Sequence, residues 1–219
     1  HWMHFDGLTA NQGVSLFPAH NVDQDTNRNH RNDFGVGVHC ILEDLSADRA
    51  IFGGPASHPE IYYNSSTGKL VLARANQTDY ISTVSSVVAN EPFSVVGIWD
   101  GSLQYDGVNN IHIAFNGVIE TSANVAWSIS YFTDPFLLGN NHLDNDRLIG
   151  SLAAPTIWAG KGRLPSHEQI MRFHMNPYTI LVPPDNGFLY DPYRSALEIT
   201  DVTDVKTGTT TGTATFRTN

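Results

Sequence analysis

The chain is predicted to be all-β: two stacked antiparallel sheets closed by one short C-terminal helix. Three features predict this. Short runs of alternating apolar and polar residues recur from Phe34 to Trp158, turn-forming residues separate them, and a helical pattern occurs once, over 163–177. Each short strand must bury one face, and two packed sheets satisfy all of them together. A chain of 219 residues buries roughly 70% of its unfolded surface, enough for such a core without a disulfide or a metal.

The strands follow in order. Phe34, Val36, Val38, Cys40 and Leu42 alternate with Gly35, Gly37, His39 and Ile41, a period of two with one face in the core. Ile61-Tyr62-Tyr63 and Leu70-Val71-Leu72 flank Ser65-Ser66-Thr67-Gly68, a hairpin signal. Phe93, Val95 and Trp99 alternate with Ser94, Val96 and Ile98. Ile111, Ile113 and Phe115 run into Asn116-Gly117 and then Val118-Ile119; a type I′ turn needs positive φ at both central residues, which Asn-Gly supplies. The helix starts at Ser166, whose spacing to Gln169 is that of a capping box. Ile170 and Phe173 share a face, and Asn176-Pro177 ends the helix because the residue before proline leaves the α region.

Composition narrows the function. Twelve Lys+Arg against 22 Asp+Glu give a net charge of −10, which argues against nucleic acid or anionic lipid as partner. No apolar run approaches the ~20 residues of a membrane span. Cys40 is the single cysteine and lies in an alternating strand, the setting of a small buried thiol. The chain opens His1-Trp2-Met3-His4, so it is expected to be trimmed, processed or part of something longer. Little Lys and Arg beside abundant Asn, Ser, Thr and Gly suits an exported or virion-exposed protein.

The order of elements resembles the laminin-G-like, concanavalin A-like jelly-roll family. His4-Phe5-Asp6-Gly7 looks like its opening strand, and Ile113-Ala114-Phe115-Asn116-Gly117-Val118 like its Asn-Gly hairpin. Phe136-Leu137-Leu138-Gly139 looks like its strand ending in glycine, and Leu148 to Trp158 with the following helix like its closing signature. Ala153-Ala154 stand where members commonly carry an acidic pair, so no role rests on that pair. The resemblance implies a jelly-roll domain over 1–182, a linker over 183–195, and over 196–219 the first strand or strands of an immunoglobulin-like domain or a partner-binding tail. Such modules occur in bacteriophage virion and bacterial surface proteins.

Candidate chemistry is sparse. A retaining glucanase of this class needs carboxylates about 5 Å apart on one strand face, and no Glu/Asp triplet at i, i+2, i+4 supplies them. There is no G-x-S-x-G or His-Glu-x-x-His motif, and the ten histidines show no zinc spacing. Calcium ligation is left open at two places: Asp23 and Asp25 in the polar stretch 21–33, and Asn141, Asp144 and Asp146 after the Leu138-Gly139 strand end. For glycan, Tyr62, Tyr63, Tyr80, Trp99 and Tyr105 are aromatic platforms to weigh. Trp99 and Trp158 lie in strand patterns and read as core, whereas the loop carrying Tyr105, Asp106, Asn109 and Asn110 reads as a glycan-binding rim. The expectation is therefore a non-enzymatic structural or adhesion module of a virion (capsid decoration, fibre or tail) or of a cell surface. It would contact other subunits of a larger assembly and also surface glycan, with no nucleic acid, no membrane span and no required cofactor. A calcium-dependent lectin is the alternative, and a glycoside hydrolase of the same fold the remote one.

Overall fold

A computed structural model of the chain describes residues 2–7, 13–18, 33–54, 59–74, 78–103, 105–126, 135–141, 143, 145–159, 164–177, and the strand residues 188–190, 198–201, 205–207, 209–211 and 215–217. The strands are β1 Trp2–Phe5, β2 Gly13–Pro18, β3 Asp33–Leu42, β4 Arg49–Gly53, β5 Pro59–Asn64, β6 Lys69–Arg74, β7 Thr78–Ser82, β8 Pro92–Asp100, β9 Ile111–Phe115, β10 Val118–Ala123, β11 Pro135–Leu138 and β12 Gly150–Ala159. The helix α1 spans His167–Met175. Short strands β13 Phe188–Tyr190, β14 Glu198–Asp201, β15 Val205–Thr207, β16 Thr209–Thr211 and β17 Thr215–Arg217 follow.

Two antiparallel sheets result. One runs β10-β9-β8-β3-β12-β13-β14-β15, with β1 pairing both β12 and β17; the other runs β16-β2-β11-β4-β5-β6-β7. The predicted sandwich with one short helix is what the described residues form. Its core lies where the inward faces meet: Phe34, Val36, Val38, Cys40 and Leu42 are fully buried, as the alternation in β3 requires. Phe34 stacks on Phe136 at 5.4 Å and tilts against Trp99 at 5.7 Å. Cys40 is a buried free thiol whose pKa burial raises well above the ordinary value. Asn116 and Gly117 both hold positive φ, 48° and 84°, the turn that Asn-Gly predicts.

One feature exceeds the sequence pattern. Alternation predicts one buried face per strand, yet Val96, Ile98, Ala114 and Trp158 on the outer face of the first sheet are also buried. They form a second apolar cluster with Ile170 and Phe173 of α1. The helix seats there because β3 presents glycine where its neighbours present side chains: a Cβ on Gly37 would lie 3.0 Å from Trp158 and 3.1 Å from Phe173. The capping box forms as predicted, with Ser166 Oγ accepting from Gln169 N at 3.2 Å and Gln169 Oε1 accepting from Ser166 N at 2.7 Å. At the other end His39 Nε2 donates to the Phe173 carbonyl at 2.8 Å, and the Asn176 N–H closes the last turn on Arg172 O.

Candidate functional site

The loop from Gly101 to Asn110 is held down by two carboxylates that sit opposite each other in the β3–β8 register, Asp33 and Asp100. Both are buried, at 1% and 0% exposure. Ser102 N and Oγ donate to Asp33 at 2.9 and 2.7 Å, and Tyr105 N donates to Asp100 Oδ2 at 2.9 Å. Buried acceptors that take backbone N–H groups fix a loop firmly, because losing them strands donors away from water. Sequence reading missed this pair: its members lie far apart in the chain, and only register brings them together.

With its start pinned, the loop lays the Tyr105 ring over the outer face of the first sheet. The ring lies 4.9 Å from His112 and 5.2 Å from His167, the first residue of α1. Tyr105, Leu164, Pro165, Ser166 and His167 line a recess of about 220 Å³. The Tyr105 hydroxyl is buried and has no hydrogen-bond partner among the described residues, and burial followed by the Asp100 charge pushes its pKa up. His112 is buried beneath: Nδ1 pairs with Ser122 Oγ at 2.8 Å, and Nε2 lies 3.9 Å from Asp100 Oδ2. Desolvation lowers the His112 pKa, against the pull of Asp106 and Asp100.

The other sequence candidates in this loop are committed elsewhere. Asp106 accepts from Val108 N at 2.8 Å and from Asn109 N and Nδ2 at 2.7 Å each, which holds its pKa down at about 2. Asn110 clamps the chain end of β10: Nδ2 donates to Val125 O at 2.7 Å, and Oδ1 accepts from Val125 N at 2.9 Å. Of the four residues, Tyr105 lines the recess while Asp106, Asn109 and Asn110 shape the loop that presents it.

At the opposite rim Asn141 and Asp146 come together, but on each other. Asn141 Nδ2 donates to Asp146 Oδ2 and to Asn145 Oδ1, both at 2.7 Å, and Asn141 Oδ1 accepts from Leu143 N and Asn145 N. Burial and then the Asp48 charge raise the Asp146 pKa. Calcium asks for six to eight oxygens turned inward; here an amide N–H covers one carboxylate oxygen, so these two residues do not by themselves fit the ion. Among the described residues no group of three or more His, Cys, Asp or Glu could hold a metal. Asp144, Asp23 and Asp25 lie outside the described residues.

Trp99 and Trp158 are core, at 0% and 1% exposure. Tyr63 is likewise buried, and Tyr80 is partly buried against the core. A second recess of about 200 Å³ lies along β5, β6 and β7, lined by Asn64, Thr67, Val71, Tyr80, Ile81 and Ser82.

No protein-family model and no curated protein matches the sequence. Solved structures do match its fold. A candidate carbohydrate-binding protein of Bacteroides ovatus aligns over 98% of this chain with a TM-score of 0.65 and 16% identity, and the chain spans 58% of that protein's length. A heptameric SAP-like pentraxin of Limulus polyphemus aligns over 79% of this chain and 81% of its own, at TM-score 0.52 and 14% identity. The CBM40 of the Ruminococcus gnavus IT-sialidase, solved bound to α2,3-sialyllactose, aligns over 75% of this chain and 97% of its own, at TM-score 0.51 and 12% identity. At such identities the likeness is one of fold.

Proposed function

We propose that the chain is a non-catalytic glycan-binding module displayed on a virion or cell surface. The recess walled by Tyr105 and His167 carries the reading. Aromatic rings offer a flat partner to the C–H face of a sugar, while the Ser166 hydroxyl and the imidazole of exposed His167 offer hydrogen bonds at its edge. The carbohydrate-binding descriptions of the Bacteroides and Ruminococcus proteins support it by analogy of fold.

Two further observations support the details. Asp33 and Asp100 are sealed from solvent and occupied as loop acceptors, whereas a hydrolase needs its carboxylates on an open cleft. A net charge of −10 favours neutral over anionic glycans. In this proposal residues 1–182 are the binding unit, to whose sheets β13, β16 and β17 from the segments 183–195 and 196–219 add, and it contacts neighbouring parts of a larger assembly. Little Lys and Arg supports the exposed location, virion or extracellular.

A glycan array probed with the intact chain, with and without a calcium chelator, tests this reading. Retention of neutral glycans, unchanged by chelation and without release of reducing sugar, is the expected result. An empty array overturns glycan binding. Loss on chelation replaces this reading with a calcium-dependent lectin, and released sugar replaces it with a hydrolase.

A further inference from the structure

We infer that the recess on the edge of the second sheet is a separate binding site for a single neutral sugar residue; the inference rests on the reading that the chain binds glycans. Three features converge there, beginning with a bulge. Leu72 pairs with Ile81 and Ala73 with Asp79, so β7 carries one extra residue, Tyr80, at that point. A bulge turns its extra side chain away from ordinary alternation. Tyr80 thereby packs partly against the core and still walls the recess.

The second feature is a preset donor. Asn64 Oδ1 accepts from Ser66 N at 3.1 Å, Ser66 Oγ at 2.6 Å, Thr67 N at 3.1 Å and Thr67 Oγ1 at 3.2 Å. Those bonds fix the side chain, and the amide nitrogen is left with two N–H groups that no described residue accepts. A donor already held in place costs little entropy when it binds. The Ser82 hydroxyl and the Tyr80 phenol add two more polar groups without partners among the described residues.

The third feature is the floor. Val71, at 4% exposure, gives the recess an apolar base beneath those polar groups, while Ile81 borders it and packs its side chain into the core. Among the described residues no charged side chain lines it, and at about 200 Å³ it is smaller than the sites that take drug-sized ligands. Uncharged donors and acceptors, one aromatic wall and an apolar base suit the hydroxyls and C–H face of a pyranose. A sialic acid carboxylate would find no cation among those lining residues.

The test is an NMR titration of the intact chain with D-glucose, D-galactose and D-mannose, with 3′-sialyllactose as the charged arm. The expected result is a saturable shift of the Asn64 side-chain NH₂ and of the Val71 methyls with at least one neutral sugar. Asn64→Asp keeps the oxygen that holds the turn and removes the donor, so binding at these signals should weaken about tenfold. Ser82→Ala, outside that turn, should weaken it by a few-fold. Shifts confined to Tyr105 and His167 overturn this site and leave the glycan reading standing. Shifts here that Asn64→Asp leaves unchanged, or that only sialyllactose produces, also overturn it. If no sugar shifts any signal, the glycan reading fails and this site fails with it.

Discussion

Replacing Gly37 by alanine tests the seating of α1, on which the Tyr105 recess depends. The new methyl would meet Trp158 Cζ3 at 3.0 Å and Phe173 Cε1 and Cζ at 3.1 Å, all ring carbons that are themselves buried. Neither ring can retreat freely. Trp158 packs over Gly35 beside Pro165, and Phe173 is tied through its carbonyl to His39. Overpacking of this kind costs about 1–3 kcal/mol. Gly37 has no positive φ, so alanine also restricts the unfolded chain and returns about 0.4–1 kcal/mol. The net is a loss of about 1–2 kcal/mol, or about 2–8 °C in Tm for a chain of this size. Thermal unfolding followed by circular dichroism measures it, and in a Phe173→Leu background the penalty should shrink because one of the two rings is gone. A Gly37→Ala variant as stable as the parent, or one equally penalised in both backgrounds, would refute the argument that the glycine makes room for the helix.

Other outcomes follow from the same contacts. Tyr105→Phe removes a buried hydroxyl that has no partner among the described residues, so stability should hold or rise by up to about 1 kcal/mol; a fall in Tm would mean that the hydroxyl is satisfied after all. Glu120 accepts from Val84 N and Ser85 N at 2.7 and 3.0 Å and from Ser85 Oγ, tying β10 to the loop after β7. In Glu120→Ala those two amides should exchange hydrogen faster, and unchanged protection would remove the clamp. His39 and His112 both have pKa values lowered from 6.5, in each case chiefly by burial. The fold therefore prefers their neutral forms, and the unfolded chain binds protons first as acid is added. Their contribution is fully present above pH ~6.5 and is lost as pH falls through the lower folded values. Tm measured from pH 8 to 5 should drop in that window, and less so in a His39→Gln, His112→Gln double variant.

Local rules carried much of the architecture. Alternation in β3 named its five inward residues, Asn116-Gly117 named the turn, and Ser166 with Gln169 named the start of α1. Each of these depends on residues close in the chain. The outer cluster was not visible that way, because burial of Val96 and Ile98 is decided by a helix that arrives some seventy residues later. Site residues were harder for the same reason. Asp106, Asn109, Asn141 and Asp146 look like rim ligands in sequence, yet short polar side chains in loops commonly bond their own turns, and these do. Asn64 stands on β5 and Tyr80 and Ser82 on β7, and the bulge that takes Tyr80 out of alternation leaves no sequence signature. Asp33 and Asp100 meet only through strand register.

A crystal of the intact chain soaked with a neutral oligosaccharide that it retains on an array puts the proposed function to its most direct trial. The account predicts a sugar ring lying on the Tyr105 face within reach of His167 and Ser166. Bound sugar with that recess empty would contradict it.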